Sequence, residues 1–388
     1  MNDYVLSKQK LPLPLDLHLK QFPLFGRWFL SMLNRIHEGE LHVFIANQHY
    51  RCGQTDSDLQ ATIRINRPLS LAKKAVLRGD LGFAESYMAG DWQSDNLSDL
   101  LTLLLRNREH IGKRFNGYSG LRLGSRFYHY LRKNSILGSK KNIEQHYDLG
   151  NDFYQAWLDQ SMTYSSGLFL TPDDDLHTAQ QHKYQRILQQ LGAKKGDAVL
   201  EIGCGWGGFA EHAIQAGQTV HGITLSQEQC AYAQQRLQPY GDQAHIEIRD
   251  YRHLTQQYDH IVSIEMFEAV GEQYWETYFA TIQQSLKSGG KAVLQIITIG
   301  DEWFESYRRK ADFIQRYIFP GGLLPSLEKL EDEIAKTDLH CLSTKRFGQD
   351  YARTLAIWDQ QFVQALPQLE QLGYDQRFAR MWRYYFSY

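Results

Sequence analysis

Hydrophobic and polar positions change rhythm twice along this chain. From Gly39 to Gly53 the segment GELHVFIANQHYRCG alternates apolar with polar residues, which predicts paired strands, and ATIRINRP (61–68) repeats the alternation. Arg27–His37 carries apolar residues at helical spacing, as does SLAKKAVLRGDLGFAESYMAGDW (70–92), with Gly79 and Gly90 as stops. Asn96–Asn107 predicts a leucine-rich helix, and Pro12, Pro14 and Pro23 predict an irregular lead-in over the first 25 or so residues. Residues 1–110 therefore read as a small α+β domain.

Beyond about residue 178 the pattern becomes short apolar runs separated by helix-length amphipathic stretches. Candidate strands are Ala198–Gly203, Thr219–Leu225, Ile246–Tyr251, His260–Met266, Lys291–Ile299 and Leu339–Phe347. This alternation predicts an α/β fold, a doubly wound parallel sheet whose ligands lie outside the carboxyl ends of its strands. Those ends carry Glu201–Gly208, Thr224–Ser226, Asp250–Tyr251, Glu265–Glu268 and Gln295–Thr298. At the first of them, VLEIGCGWGGFAEHA (199–213) reads as strand, glycine turn and helix. Its glycines fall as G-x-G-x-G-G rather than as the G-x-G-x-x-G of dinucleotide sites. That spacing suits a nucleoside without a pyrophosphate, and S-adenosylmethionine is the obvious one.

Composition narrows the setting. The net charge of −2 implies no general attraction to nucleic acid. Cys52, Cys204, Cys230 and Cys341 show no CxxC spacing, which excludes a common zinc framework and points to a reducing compartment, so no metal site is expected. The N-terminus has no continuous apolar signal region, and no run is long enough to span a bilayer. Any membrane contact is expected to be peripheral. Between Arg106 and Lys141 basic residues dominate, with Tyr118, Phe127, Tyr128 and Tyr130 interleaved. This stretch reads either as a solvated linker or as a surface for anionic lipid headgroups, with nucleic acid a third option that the rest of the chain does not support. The 23 Tyr, 19 Phe and 8 Trp supply core packing or a pocket for a long apolar or cationic group.

Taken together, HYDLGNDFY (146–154), MTYSSGLF (162–169), VLEIGCGWGG (199–208), GITLSQEQ (222–229), RDYR (249–252), MFEAVG (266–271), IFPGGLLPS (318–326) and the Tyr351/Trp358 segment resemble the cyclopropane-fatty-acid synthase family, which includes the mycolic acid cyclopropane synthases. The N-terminal GELHV and GDLGFAESYMAGDW segments are similar to that family's lipid-handling domain. The resemblance implies a class I methyltransferase (Rossmann-like) domain over 146–388, a basic linker over 111–145 and an N-terminal lipid-binding domain over 1–110. It implies transfer of a methylene from S-adenosylmethionine to the cis double bond of an acyl chain in membrane phospholipid, forming a cyclopropane. The implied setting is cytoplasmic, peripheral at the inner face of the membrane, with no nucleic-acid partner and a homodimer left open. The region Trp303–Pro320 is expected to help form an acyl channel or membrane-facing lid through Phe304, Phe313 and Tyr317.

By the same resemblance, Tyr164 and Ser165 should cover the methionine and sulfonium end of the cofactor, while Glu201, Gly203 and Gly205 shape the turn beneath it. Thr224, Leu225 and Gln229 should flank the ribose and adenine, and Asp250 and Tyr251 should face the adenine. Ser226 also matches a helix cap through Ser-x-x-Gln. Family members are thought to hold a bicarbonate ion as base. Its ligand positions correspond here to Glu268, Tyr351, Ser166 (Cys in the family), Gln295 (His in the family) and the backbone amide of Ile297, and Ala269 replaces the His of MFEHVG. Ser and Gln can still hydrogen-bond an anion, but an amide cannot do a histidine's proton chemistry. Two readings stay open: cyclopropanation on a drifted site, or a related C-methyltransferase giving a branched or desaturated chain. A third, a non-catalytic lipid-binding relative, is disfavoured by Glu201 and the intact glycine turn. The family pattern continues past …MWRYYFSY, so the sheet is expected to lack its last, antiparallel strand.

Overall fold

The computed structural model describes residues 13–14, 24–46, 48–55, 57–111 and 149–388. The 111–145 linker lies outside the described residues except for Ile111, as do His146–Asp148 of the HYDLGNDFY segment. The chain forms two compact units, Met1–Ser125 with Tyr374–Tyr388, and Arg126–Gly373.

In the first unit β1 (Leu13–Pro14), β2 (Glu40–Ile45), β3 (Gln48–Gly53), β4 (Gln60–Ile65) and β5 (Trp92–Gln93) form one sheet in the order β1-β3-β2-β4-β5. The alternation seen in sequence is the alternation of burial: Leu41, Val43 and Ile45 point into the core, as do Ala61, Ile63 and Ile65. Helices α1 (Leu24–Leu33), α2 (Pro68–Met88), α3 (Leu97–Arg106) and α4 (Arg108–Ile111) accompany the sheet. Asn96 caps α3 by accepting the Asp99 amide at 3.2 Å, a contact worth roughly 1 kcal/mol. Buried Asp91 is held by Arg67 and Lys74, each at 2.7 Å.

The second unit opens with α5 (Asn151–Gln155) and α6 (Leu176–Leu191) and then alternates β6 (Ala198–Ile202), α7 (Gly208–Gln215), β7 (Thr219–Thr224), α8 (Gln227–Leu237), β8 (Ala244–Ile248), β9 (Tyr258–Ile264), α9 (Trp275–Ser285) and β10 (Leu286–Gln295). The strand order is β10-β9-β6-β7-β8, every pairing parallel, which is the doubly wound arrangement the sequence predicts. Two apolar layers cover the sheet. One gathers Val199, Val220 and Val262 with Phe209, Ala233 and Leu191 of the helices; the other gathers Leu200, Ile223 and Ile261 with Tyr278, Phe279 and Ile282 of α9. β7 and β8 lie on one side of β6 and β9 and β10 on the other, so the switch point falls between β6 and β9, and the parallel pairing puts all the carboxyl ends along one edge.

Beyond β10 come α10 (Asp301–Tyr307), α11 (Phe313–Tyr317), α12 (Leu327–Ile334) and α13 (Gly348–Gln371). Two expectations differ from this arrangement. Leu339–Phe347 is not a strand: it lacks a ladder partner, and residues 340–346 are exposed. The last helix, α14 (Gln376–Ser387), packs on α2 and α3 rather than on the parallel sheet, with the Tyr384 and Tyr87 rings 5.8 Å apart. Its buried face, Trp382, Tyr384, Tyr385 and Phe386, completes the core of the first unit. No helix among the described residues is long and apolar enough to cross a membrane.

Candidate active site

The glycine turn follows directly from β6. Gly203, Gly205 and Gly207 have φ of 83°, 52° and 83°, a region that costs a residue with a Cβ about 1 kcal/mol or more. The amides of Gly203 and Cys204 both donate to the Ile223 carbonyl, at 2.9 and 3.0 Å, so the turn is tied to β7. A Cβ on Gly203 would lie 2.9 Å from Met266 Cγ, whereas one on Gly205 would meet nothing within 4 Å. The turn is thus closed on the side of β9 and open on the other. Beneath it Glu201 is buried, and its Oε2 has no hydrogen-bond partner. Burial pushes the Glu201 carboxyl well above the ordinary range, opposed by the charges of Lys183 and Arg236.

At the end of β7, Thr224 Oγ1 donates to Gln229 Oε1 at 3.0 Å and accepts the Ser226 amide at 3.2 Å. Ser226 caps α8 through the Gln229 amide at 3.3 Å, the capping role its spacing suggests. Leu225 is half-buried between them. After β8, both Asp250 oxygens are engaged by Arg252, at 2.8 and 2.5 Å, and Oδ1 also accepts the Arg252 amide at 3.0 Å. Burial raises the Asp250 carboxyl, but these bonds outweigh it and hold it below the ordinary value. Tyr251 is buried edge-on against Tyr278 at 5.4 Å, and its hydroxyl has no partner.

The loop carrying Tyr164, Ser165 and Ser166 is anchored by two α6 residues that sequence reasoning passed over. Gln180 Nε2 donates to the Ser165 carbonyl at 2.8 Å, and Lys183 Nζ donates to Ser165 Oγ at 2.7 Å. Both sit in the buried stripe of Leu176, Ala179, Tyr184, Ile187, Leu188 and Leu191. Polar residues in register with an apolar stripe were the available signal. Lys183 is fully buried; desolvation lowers its ammonium to about 8, against the opposing charges of Glu265, Asp159 and Glu201.

A second missed residue is Glu265. It follows β9 with a left-handed backbone, φ 48°, and its amide donates to the Gln295 carbonyl at 2.8 Å. Its Oε1 accepts the Ser166 amide at 2.9 Å and Gln295 Nε2 at 2.8 Å. Three residues on, Glu268 accepts the Ile297 amide through Oε1, while its buried Oε2 has no partner. Burial, then the Glu265 charge, push the Glu268 carboxyl up to about 8. Burial also raises Glu265, against the Lys183 charge and its two hydrogen bonds. Ser166 Oγ donates to the Gly167 carbonyl at 2.9 Å. Tyr351 is half-buried in the first turn of α13, and Thr354, three residues on, accepts the Gly167 amide at 3.1 Å. The structure thus brings Ser166, Gln295, Ile297 and Glu268 together, but around Glu265.

This arrangement does not fit a bicarbonate ion. The donors assigned to it, Gln295 Nε2 and the Ile297 amide, already serve Glu265 and Glu268, and the Ser166 hydroxyl serves a carbonyl. A further anion would stand against two buried carboxylates.

Tyr164 lies in an aromatic cluster, its ring centroid 5.2 Å from Trp358, 5.5 Å from Tyr154, 5.7 Å from Trp157 and 6.2 Å from Phe319. Such faces stabilise cations. In the 303–320 region Phe304 and Phe313 are buried, Phe304 against Trp275 at 6.1 Å, and Trp303 is the exposed ring. The following loop is fixed to the site, the Leu323 amide donating to the Glu268 carbonyl at 2.9 Å.

Comparison with known proteins identifies the family by sequence and the fold by structure. The family model described as mycolic acid cyclopropane synthetase matches residues 135–388. The chain is 38% identical over 345 residues to the tuberculostearic acid methyltransferase UfaA1 of Mycobacterium tuberculosis, covering 84% of this chain and 78% of that protein. It is 37% identical over 337 residues to the cyclopropane-fatty-acyl-phospholipid synthase of Escherichia coli, covering 84% and 83%. The mycolic acid cyclopropane synthase CmaA1, solved with SAH and CTAB, superimposes with a TM-score of 0.60 at 28% identity over 63% of this chain and 90% of that one. The residues here fit S-adenosylmethionine: the open side of Gly205 admits a ligand against the backbone, and Glu201 Oε2 and the Tyr251 hydroxyl are buried polar atoms awaiting a partner. The chain is an S-adenosylmethionine-dependent methyltransferase of class I fold and belongs to the mycolic acid cyclopropane synthetase family.

Proposed function

We propose that this protein adds the methyl carbon of S-adenosylmethionine across the cis double bond of an unsaturated acyl chain in membrane phospholipid, closing a cyclopropane, at the cytoplasmic face of the membrane. The observation that carries the reading is the half-buried, desolvated Glu265–Glu268 pair on the loop whose Met266 lies against the glycine turn. When bound, the cofactor supplies an electrophilic methyl on a sulfonium. Glu201, Gly203, Gly205, Thr224, Leu225, Gln229 and Tyr251 line the turn that would hold it, with Asp250 acting through Arg252. Tyr164 and Trp358 supply adjacent aromatic faces of the kind that stabilise positive charge, which supports a role for them toward the cationic acyl chain. Buried carboxylates in a dry site act far more strongly than in water and suit removal of the proton that closes the ring. The basic stretch between Arg106 and Lys141 supports docking on anionic headgroups.

A second reading, a methyl-branched or newly unsaturated product, is favoured by Gln295 and Ala269 replacing histidines and by the similarity to a tuberculostearic acid methyltransferase. One assay decides. The protein is incubated with methyl-labelled S-adenosylmethionine and vesicles of monounsaturated phosphatidylglycerol, and the fatty esters are analysed by mass and ring chemistry. A labelled cyclopropane is expected. A labelled branched or doubly unsaturated chain overturns ring closure, and no label in lipid overturns the acyl reading altogether.

A further inference from the structure

We infer that the Glu265–Glu268 carboxylate pair is this protein's own resident proton acceptor, so that turnover needs no bicarbonate. The inference rests on the acyl-modifying reading above and deepens it. Glu265 occupies a left-handed backbone position, φ 48°, where a glycine would be at ease and a residue with a Cβ is strained. The surroundings over-determine it: its amide is tied to the Gln295 carbonyl, and its carboxylate takes the Ser166 amide and the Gln295 side chain. The neighbouring Ile297 amide is taken by Glu268. The chain has thus committed two donors of an anion site, Gln295 Nε2 and the Ile297 amide, to side-chain carboxylates of its own.

The charges around the pair agree. Lys183 is the cation facing Glu265, and Glu201 and Asp159 press on Lys183 from the same side. One buried ammonium among several carboxylates does not favour a further anion beside the two glutamates. Glu268 Oε2, buried and without a partner, is the atom left to face a reacting group.

The step balances. The alkene π pair forms the new carbon–carbon bond to the sulfonium methyl, and the pair of the breaking carbon–sulfur bond stays on sulfur, leaving S-adenosylhomocysteine and a cationic acyl carbon. A C–H bond of the transferred carbon then breaks. Its electrons close the ring on the cationic carbon, and its proton goes to the pair, which later releases it to solvent.

The test uses the full-length protein in carbon-dioxide-free buffer, with and without added sodium bicarbonate, measuring label transfer to lipid. Wild-type turnover is expected to stay within about twofold. A tenfold loss on removing bicarbonate, restored by adding it, overturns the inference. Glu265→Gln is expected to lower kcat by about 10²-fold or more with KM for S-adenosylmethionine unchanged. Retained turnover in that variant also overturns it. Glu265→Gly suits the left-handed backbone and empties the anion position, so bicarbonate is expected to restore part of its turnover. Binding of ¹³C-bicarbonate followed by NMR needs no acyl substrate and keeps this question separate from the acyl reading. The Glu265→Gly variant should bind the ion and the wild type should not; saturable binding to the wild type overturns the inference.

Discussion

Replacing Glu268 by Gln isolates the cost of burying its charge. The residue is half-buried with its Oε2 shielded from solvent, and desolvation with the Glu265 charge moves its pKa from the ordinary 4.5 to about 8. A raised carboxyl pKa means that between those values the native state holds a proton the unfolded chain has lost. Stability is therefore fully present below the unfolded value and drains away as pH rises through the native one. Integrating over both states, the wild type should lose about 3 kcal/mol between about pH 5 and pH 7.5, relative to a side chain that does not titrate. Gln has nearly the same shape and can still accept the Ile297 amide, so the Glu268→Gln variant supplies that reference. Urea denaturation followed by tryptophan fluorescence at several pH values measures the difference. The two stability curves should lie close together near pH 5 and separate toward neutrality, with the variant the more stable. Parallel curves across that range would refute the placement of a charge-averse Glu268.

The remaining predictions concern the residues around it. Glu201→Gln should weaken S-adenosylmethionine binding about 10–100-fold by calorimetry, since hydrogen bonds to a charged group contribute roughly 1.5–3 kcal/mol, without lowering Tm; unchanged affinity would remove Glu201 from the cofactor site. Lys183→Met should cost about 3–5 kcal/mol, because it leaves Glu265 and Glu201 without their buried counter-charge, and a Tm shift of only a degree or two would show those carboxylates to be neutral already. Phe304→Ala should cost about 3–5 kcal/mol as a core truncation against Trp275, seen as a drop in Tm. Loss of lipid turnover with Tm intact would instead return Phe304 to the acyl-channel role.

What was legible in the sequence was whatever has a local period. The strands β2, β3 and β4 show as strict alternation because one face is buried, and β6, β7 and β9 as apolar runs because both faces are covered. Leu339–Phe347 has a strand-like pattern but finds no ladder, and pairing is a non-local property that no window of residues reports. Asp250 reads as facing adenine from its place at a strand end, but the three-residue helical turn Tyr251–His253 that sets Arg252 on both its oxygens shows only in the structure. The site divides the same way. The glycine turn announces itself because backbone geometry demands particular residues there. Glu265 does not, since a glutamate at the end of a strand is unremarkable until the sheet sets it against Ser166, 99 positions earlier, and Gln295, 30 positions later. Its meaning lies in the company the topology gives it. Gln295 and Ser166 look like losses when each is compared alone with a histidine or cysteine. Beside Glu265, however, the Gln295 side chain becomes the donor that, with the Ser166 backbone amide, holds an internal carboxylate, and the loss of the histidine reads as the exchange of a borrowed anion for a built-in one.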